Sequence, residues 1–160
     1  MAEQQDFPPV IVLYDATFNA PIDAVFNCIS DFGGWCKWTS SLTDMKIEGD
    51  GVDRIGCIRK FQSVESKGTY QEKEEVKDAV NHIFKFSNVS ADPPIVFLKS
   101  QLVTATLTPD GDDKCSLHYE VVIQTNMQLP EEKVTAFQVW AKKTYDRLFG
   151  DLKNFVEKKE

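Results

Sequence analysis

Residues 130–156 read PEEKVTAFQVWAKKTYDRLFGDLKNFV, and their periodicity differs from that of the rest of the chain. Apolar residues in this stretch recur every three or four positions, which is the spacing of one face of an α-helix. The proline at its start and the two glutamates that follow are typical of a helix N-terminus. The stretch predicts one long amphipathic helix.

The residues before this helix predict mainly β-strands. Residues 10–19 alternate and are rich in β-branched and aromatic side chains, as expected of a strand. Residues 21–32 predict a short helix that ends at a pair of glycines, and residues 33–42 predict a second short helical or loop piece. Turn residues separate the later strand-like segments and indicate an antiparallel meander. These segments are residues 44–49, 55–64, 69–78, 81–89, 95–108 and 115–125.

This order of elements predicts an α+β fold, with one domain over residues 1–160. A curved antiparallel sheet of about seven strands would wrap its apolar face around the long C-terminal helix, with the two short helices after the first strand. Sheets that grip one helix in this way tend to leave a space between the two layers. We expect the functional site in that space.

Composition narrows the possible partners. The chain has 160 residues and a net charge of −7, with 42% hydrophobic and 27% charged residues, which is typical of a globular protein. An acidic chain is a poor binder of nucleic acid or of anionic membranes. No apolar run approaches the roughly 18 residues that span a bilayer, so no stable membrane insertion is expected. Residues 1–10 lack the pattern of a secretory signal, so a cytoplasmic location is predicted. The oligomeric state stays open.

The four cysteines and two histidines give little material for a metal site. The cysteines occur without any CxxC pair, and zinc sites usually combine closely spaced cysteine and histidine ligands. We therefore predict reduced cysteines, no metal and no cofactor.

Several segments resemble the SRPBCC superfamily, also called START-like or helix-grip, which includes polyketide cyclase/dehydrase proteins and the birch-pollen-allergen family. The resemblance covers roughly residues 10–157 and implies the helix-grip fold. Members of this group bind or transport lipids, sense hormones, or catalyse cyclisation, dehydration and isomerisation, so the fold alone does not decide the function. The segments are FNAPIDAVFNCISDFGGWCKW (18–38), IEGDG (47–51), GCIRKF (56–61), EEVKDA (74–79) and VTATLTPDGDDKCSLHYE (103–120).

Within that superfamily, the hairpin formed by residues 56–76 is most similar to that of the plant lachrymatory factor synthases. The resemblance implies that Arg59 and Glu74 are the catalytic pair. A third functional residue of those enzymes is a tyrosine, and its position is occupied here by Val103. This departure disfavours the same reaction.

Residue alternation in the same hairpin also places charges on its inner face. Every second residue from position 71 to 77 is polar, so positions 70, 72, 74 and 76 are expected to face inward. A two-residue turn at Ser66–Lys67 would put Arg59 directly opposite Glu74, whereas a bulge at Gly68 would put Glu75 there. The polar outer face favours the first register. Glu72 is expected nearer the rim, as a solvated carboxylate.

A buried charge is costly unless it is paired or used. A pair that only satisfies itself at the cavity wall is one interpretation of Arg59 and Glu74. In a partly dry cavity, however, Glu74 would have a raised pKa and act as a general acid or base, while Arg59 holds a substrate oxygen. Further candidate contacts to a substrate are Tyr70, Phe61, Phe84, Lys99, Val103, Tyr119, Phe137, Trp140 and Trp38.

The function predicted from these observations is cofactor-free acid/base catalysis on a small apolar molecule, of the polyketide cyclase, dehydratase or isomerase type. The alternative is a non-catalytic carrier or sensor of a hydrophobic ligand such as a lipid, sterol or polyketide. Whether the loop around Pro93–Pro94 gates the cavity or is merely stiff stays open.

Overall fold

The structure, a computed structural model, describes residues 6–157 of the chain. Within this range the chain forms a seven-stranded antiparallel sheet and a long C-terminal helix, which confirms the predicted α+β helix-grip fold. Half of residues 1–10, where the sequence predicts no secretory signal, lies outside the described residues. The predicted 1–160 domain also extends beyond them at both ends and stays a prediction.

The elements follow the predicted order closely. A single 3₁₀ turn, Trp35–Lys37, stands where the sequence predicts a second short helical or loop piece. The remaining elements are β1 (Val10–Phe18), α1 (Ile22–Ser30), β2 (Leu42–Ile47), β3 (Ile58–Ser63), β4 (Thr69–Asp78), β5 (Ile83–Asp92), β6 (Leu98–Pro109), β7 (Cys115–Thr125) and α2 (Glu131–Val156).

Strands β2 to β7 form a meander, and β1 lies beside β7 at the edge opposite β2. The strand order is β1-β7-β6-β5-β4-β3-β2, and each neighbouring pair is antiparallel. Strand β7 lies between β1 and β6, and its alternate residues from Cys115 to Thr125 are buried. This period-2 burial makes one face of the sheet the floor of the hydrophobic core.

Helix α2 lies over that floor and is more deeply buried in its second half. Its buried residues begin at Ala141 and continue through Leu148, Phe149 and Leu152. Contacts to the edge strand β1 fix its position: the hydroxyl of Tyr14, for example, donates a 2.9 Å hydrogen bond to Asp146. The first half of α2 therefore stands farther from the sheet's apolar face. No helix within residues 6–157 is both long and apolar enough to cross a bilayer.

The register of the β3–β4 hairpin corrects the prediction. Arg59 pairs with Glu72, so both predicted partners, Glu74 and Glu75, are wrong. The physical reason is a longer turn: the backbone N–H of Ser63 donates to the carbonyl of Gly68, which leaves four residues between them rather than two. A slip of two residues keeps the same side chains inward, so the predicted face survives.

A β-bulge changes the end of β4. The pairing with β5 shifts between Glu74 and Val76, and Val76 is exposed rather than inward as predicted. Lys77 instead reaches the inner side, where its ammonium lies 6.0 Å from the ring of Phe84. Bulges insert one residue and so reverse the alternation beyond them.

Candidate functional site

A cavity of about 210 Å³ lies between the sheet and the middle of α2. Its floor comes from strands β2 to β7 and its roof from α2, and eight of the lining residues are aromatic. The lining residues are Trp35, Leu42, Arg59, Phe61, Ser63, Glu65, Ser66, Tyr70, Glu72, Phe86, Asn88, Ile95, Gln101, Val103, Tyr119, Phe137, Trp140, Ala141, Thr144, Tyr145 and Leu148.

Arg59 carries a positive charge into this cavity and is 1% exposed. Its Nη1 donates to the backbone carbonyl of Phe32 at 3.0 Å, where the chain leaves α1. The guanidinium carbon lies 4.2 Å from the ring centres of both Phe32 and Trp35, and 4.9 Å from that of Phe86. Aromatic faces attract cations, and guanidinium groups stack well on them. These contacts hold Arg59 in one orientation.

Glu72 is the carboxylate that neutralises Arg59. Nε and Nη2 of Arg59 both donate to Oε1 of Glu72, at 2.9 and 2.6 Å. Within residues 6–157, no hydrogen bond of the structure ends on Oε2, which leaves that oxygen for a ligand. Burial raises the pKa of Glu72 above its ordinary value, and Arg59 opposes the rise. A carboxylate with a raised pKa keeps its proton to a higher pH than usual, which suits it to general acid/base chemistry.

Two tyrosines supply hydroxyl groups close to this pair. Burial raises the pKa of Tyr119 and of Tyr145, and the charge of Glu72 raises both further. Both phenols therefore stay protonated and can donate hydrogen bonds. Tyr119 comes from strand β7, which lies between β1 and β6, and Tyr145 comes from α2. Their rings pack edge to face with centres 5.0 Å apart.

One edge of the cavity is formed by the turn between β3 and β4. Glu65 and Ser66 of this turn line the cavity. The Ser66 and Tyr70 hydroxyls share a hydrogen bond of 2.7 Å, and Arg147 on α2 donates to Glu65. These two contacts tie the turn to the hairpin and to the helix beside the opening.

The structure brings many of the sequence-predicted residues to this one cavity. Besides Arg59, the lining contains Phe61, Tyr70, Val103, Tyr119, Phe137 and Trp140.

Three predicted contacts lie elsewhere. Phe84 is in the solid core against Phe32. Lys99 is exposed because it is the extra residue at a bulge of β6. Trp38 borders a separate, open groove of about 860 Å³ beside β2 and the end of α2. That groove lies outside the space between sheet and helix.

Glu74 is fully buried but does not line the cavity. Its Oε1 lies 3.0 Å from Nζ of Lys77, which also donates to Asp53 at 2.9 Å, and the thiol of Cys57 donates to its Oε2. Burial and the neighbouring carboxylate of Asp53 raise the pKa of Glu74, and Lys77 opposes the rise. Glu74 is not among the lining residues, and its predicted catalytic role stays a prediction.

The cluster around Glu74 contains the residue types of a metal site. Ligand atoms of Asp53, Cys57 and Glu74 lie within 4.8 Å of one another. The ammonium of Lys77 already contacts both carboxylates and offsets part of their negative charge. We therefore interpret the cluster as an ion-pair network behind the site.

Sequence reasoning missed Glu72 as the partner of Arg59, and it left Tyr145 undecided between the cavity wall and the packed core. Glu72 shares the inward face that alternation predicts, so the signal was present, but the assumed turn length assigned Arg59 to another partner. Tyr145 falls on the apolar stripe of α2, yet a helical stripe does not distinguish a cavity wall from a packed core. The carbonyl of Phe32, a backbone group, has no sequence signal.

Comparison with known proteins identifies the family. The family model for "Polyketide cyclase / dehydrase and lipid transport" matches residues 10–157. The chain belongs to this family. The predicted membership of the SRPBCC superfamily is thereby confirmed. At the level of the family, this polyketide cyclase/dehydrase and lipid transport domain is a hydrophobic-ligand-binding domain.

Solved structures share the fold of this polyketide cyclase/dehydrase domain at low sequence identity. Ara h 8.0201 has a TM-score of 0.74 at 15% identity, covering 93% of this chain and 98% of its own. A START superfamily protein from Mycobacterium smegmatis has a TM-score of 0.71 at 16% identity, covering 92% and 97%.

Norcoclaurine synthase from Thalictrum flavum, solved in complex with dopamine and hydroxybenzaldehyde, has a TM-score of 0.72 at 16% identity, covering 96% of this chain and 90% of its own. The search of curated proteins found no match. These likenesses establish the fold, and the reaction has to be argued from the site.

Proposed function

We propose that the protein is a cofactor-independent enzyme of the cyclase, dehydratase or isomerase type that acts on a small, largely apolar molecule. The observation that carries the proposal is the Arg59–Glu72 ion pair at the wall of an otherwise mainly apolar cavity. Burying such a pair commonly costs more free energy than apolar residues of the same volume would. A use in binding or catalysis explains why the pair is there.

In this proposal Glu72 is the general base. Its free oxygen removes a proton from a carbon next to a substrate carbonyl, and negative charge then develops on the carbonyl oxygen. The hydroxyls of Tyr119 and Tyr145 donate hydrogen bonds to that oxygen, and the charge of Arg59 stabilises it. Glu72 returns the proton to another carbon, which gives an isomer and leaves the enzyme unchanged.

In this mechanism Arg59 has the role that the sequence predicts for it. Glu72 has the role of general acid or base that the sequence predicts for Glu74. A substrate oxygen that approaches the guanidinium edge would weaken the hydrogen bonds from Arg59 to Glu72. Binding would then make Glu72 more basic at the moment when it is needed.

A carrier or sensor is the second candidate. It is favoured by the way Arg59 is already held, by hydrogen bonds to Glu72 and to the carbonyl of Phe32 and by several aromatic rings. In that case the pair anchors the polar end of a ligand and no bond changes.

The test begins with native mass spectrometry of the purified protein and chemical extraction of any bound compound. The compound is then incubated with wild-type protein and with Glu72→Gln, and product is followed by chromatography and mass spectrometry. We expect the variant to bind the compound but to lose turnover. Glu75→Gln is the matched control, because Glu75 lies on the same strand and accepts a hydrogen bond from Ser87 instead.

A compound recovered unchanged after long incubation with wild-type protein would favour the carrier. Equal turnover by wild type and Glu72→Gln would overturn the role of Glu72.

The cytoplasmic location and the lack of nucleic-acid binding remain predictions from charge and from the N-terminal sequence.

A further inference from the structure

We propose that the cavity selects an uncharged ligand no larger than about one ring with a short substituent, and that it rejects anions such as fatty acids as well as molecules of sterol size. The inference rests on the proposed function only for the location of the site. It concerns binding, so it can be measured without any turnover.

The charge argument starts from the charged residues of the lining, which are Arg59, Glu65 and Glu72. Glu65 is at the turn and is paired with Arg147 on α2. The interior therefore holds one positive and one negative charge in direct contact. An entering anion would lose its hydration and meet no net positive charge.

Arg59 is also poorly placed to serve as an anion anchor. The rings of Phe32, Trp35 and Phe86 lie within 5 Å of its guanidinium carbon. Glu72 and the carbonyl of Phe32 accept from three of its five N–H groups. A neutral ligand meets better partners. It can donate to Oε2 of Glu72, or accept from the hydroxyls of Tyr119 and Tyr145, which stay protonated.

The space between the layers has a volume of about 210 Å³, and a much larger molecule would have to extend through the opening into solvent. An apolar protein cavity of about 150 Å³ is filled by benzene, and ordinary pockets for drug-sized ligands have volumes of about 300–1,000 Å³. The cavity therefore has room for a single ring and a few further atoms. Aromatic walls from both layers, such as Phe61 on β3 and Phe137 on α2, favour a flat ligand.

The test compares three probes of defined charge and size. Acetophenone is neutral and has one ring, benzenesulfonate has a similar shape but stays anionic at all accessible pH values, and progesterone is neutral but has four rings. Binding to the wild-type protein is followed by two-dimensional NMR titration, which detects weak ligands. We expect acetophenone to bind at least about tenfold more tightly than benzenesulfonate, and progesterone to cause no cavity-specific shifts.

A charge variant gives a sharper outcome. Glu72→Gln leaves Arg59 without its counter-charge, so benzenesulfonate should gain affinity by about tenfold or more while acetophenone changes little. Glu75→Gln, the control on the same strand, should leave both affinities unchanged. If benzenesulfonate binds the wild type as well as acetophenone does, or if progesterone enters the cavity, or if acetophenone fails to bind, the inference is overturned.

A second variant covers the case in which Glu72→Gln does not fold. Arg59→Met/Glu72→Leu removes both charges together, and it should keep acetophenone binding and still reject benzenesulfonate. Tight sulfonate binding to this double variant would contradict the charge argument. Absence of turnover with the extracted compound would count against the proposed enzyme only, and it would leave the selectivity for neutral ligands standing.

Discussion

Arg59 and Glu72 together decide the chemistry of the cavity at the scale of single residues. Both are almost fully buried, at 1% and 8% exposed, so water compensates little of their lost hydration. The raised pKa of Glu72 indicates that burial outweighs the attraction of Arg59 for the carboxylate. The pair is therefore expected to lower the stability of the fold, in exchange for a polar site in an apolar space.

Removing one partner or both should have opposite effects on stability. Arg59→Met leaves Glu72 as a lone buried carboxylate and is expected to lower the free energy of unfolding at pH 7 by about 3–5 kcal/mol. Arg59→Met/Glu72→Leu fills the same space with apolar groups and should be neutral or stabilising by about 1–4 kcal/mol. Urea denaturation of the three proteins measures both values. A double variant as unstable as the single one would show that the pair stabilises the fold.

The pH dependence of stability can be compared between the wild type and Arg59→Met/Glu72→Leu. Because the folded-state pKa of Glu72 lies above the ordinary value of 4.5, the folded protein holds this proton more tightly than the unfolded chain does. The stability that the folded protein gains from this tighter proton binding is fully present below pH 4.5. It is lost as pH rises through the folded-state pKa of Glu72. Wild type should therefore lose stability relative to Arg59→Met/Glu72→Leu as pH rises above 4.5. An opposite slope would mean that Arg59 lowers this pKa.

At the scale of elements, the β3–β4 hairpin shows that residue alternation predicts which face is inward but not which residues pair across the strands. The inward face was predicted because period 2 is unchanged by a slip of two residues. The partner of Arg59 was not, because turn length depends on local backbone geometry. Here Lys67 has a φ of 59°, in a turn of four residues between Ser63 and Gly68.

Bulges limit the prediction of the site in a second way. Lys99 leaves the inward phase at a bulge of β6, and Val76 and Lys77 exchange faces at a bulge of β4. A bulge adds one unpaired residue, and neither stretch carries a residue that signals it in advance. The bulge of β4 brings Lys77 to the inner side, where it forms the network with Asp53 and Glu74 behind the site.

The contact between the β3–β4 turn and α2 predicts the rate of ligand exchange. Arg147→Gln removes the ion pair with Glu65 and should speed both entry and release of acetophenone, by up to about fivefold, because an exposed pair contributes at most about 1 kcal/mol. The dissociation constant should stay nearly constant, because the pair lies at the turn and not at the buried Arg59–Glu72 centre. NMR line-shape analysis gives both rates.

A matched control is available for this variant. Arg54→Gln removes another exposed ion pair, with Asp50, in the loop between β2 and β3 and away from the cavity lining. It should leave both rates unchanged. Equal rates for wild type and Arg147→Gln would show that the turn does not limit passage.

At the scale of the whole molecule, the change of period near residue 130 is enough to predict that a sheet grips one long helix. The size of the space between them is a different matter, because it depends on how far the first half of α2 stands from the floor. That distance is determined by contacts between remote residues, such as Tyr14 with Asp146 and Gln138 with the carbonyl of Ile11. A single sequence does not predict the distance between the first half of α2 and the sheet.

Two alanines distinguish a hollow interior from a solid one. Ala141 on α2 lines the cavity, so Ala141→Leu should place its added carbons in empty space and raise the free energy of unfolding by up to about 2 kcal/mol. It should also abolish acetophenone binding.

Ala105 on β6 is equally buried but lies outside the lining, so Ala105→Leu should overpack the core and lower the free energy of unfolding by about 1–3 kcal/mol. Urea denaturation compares the two variants directly, since the same three carbons are added in each case. The comparison isolates the space around the added carbons, because both positions are 1–2% exposed. Destabilisation of the same size in both would mean that the interior beneath α2 is already filled, and that no ligand of any charge has room there.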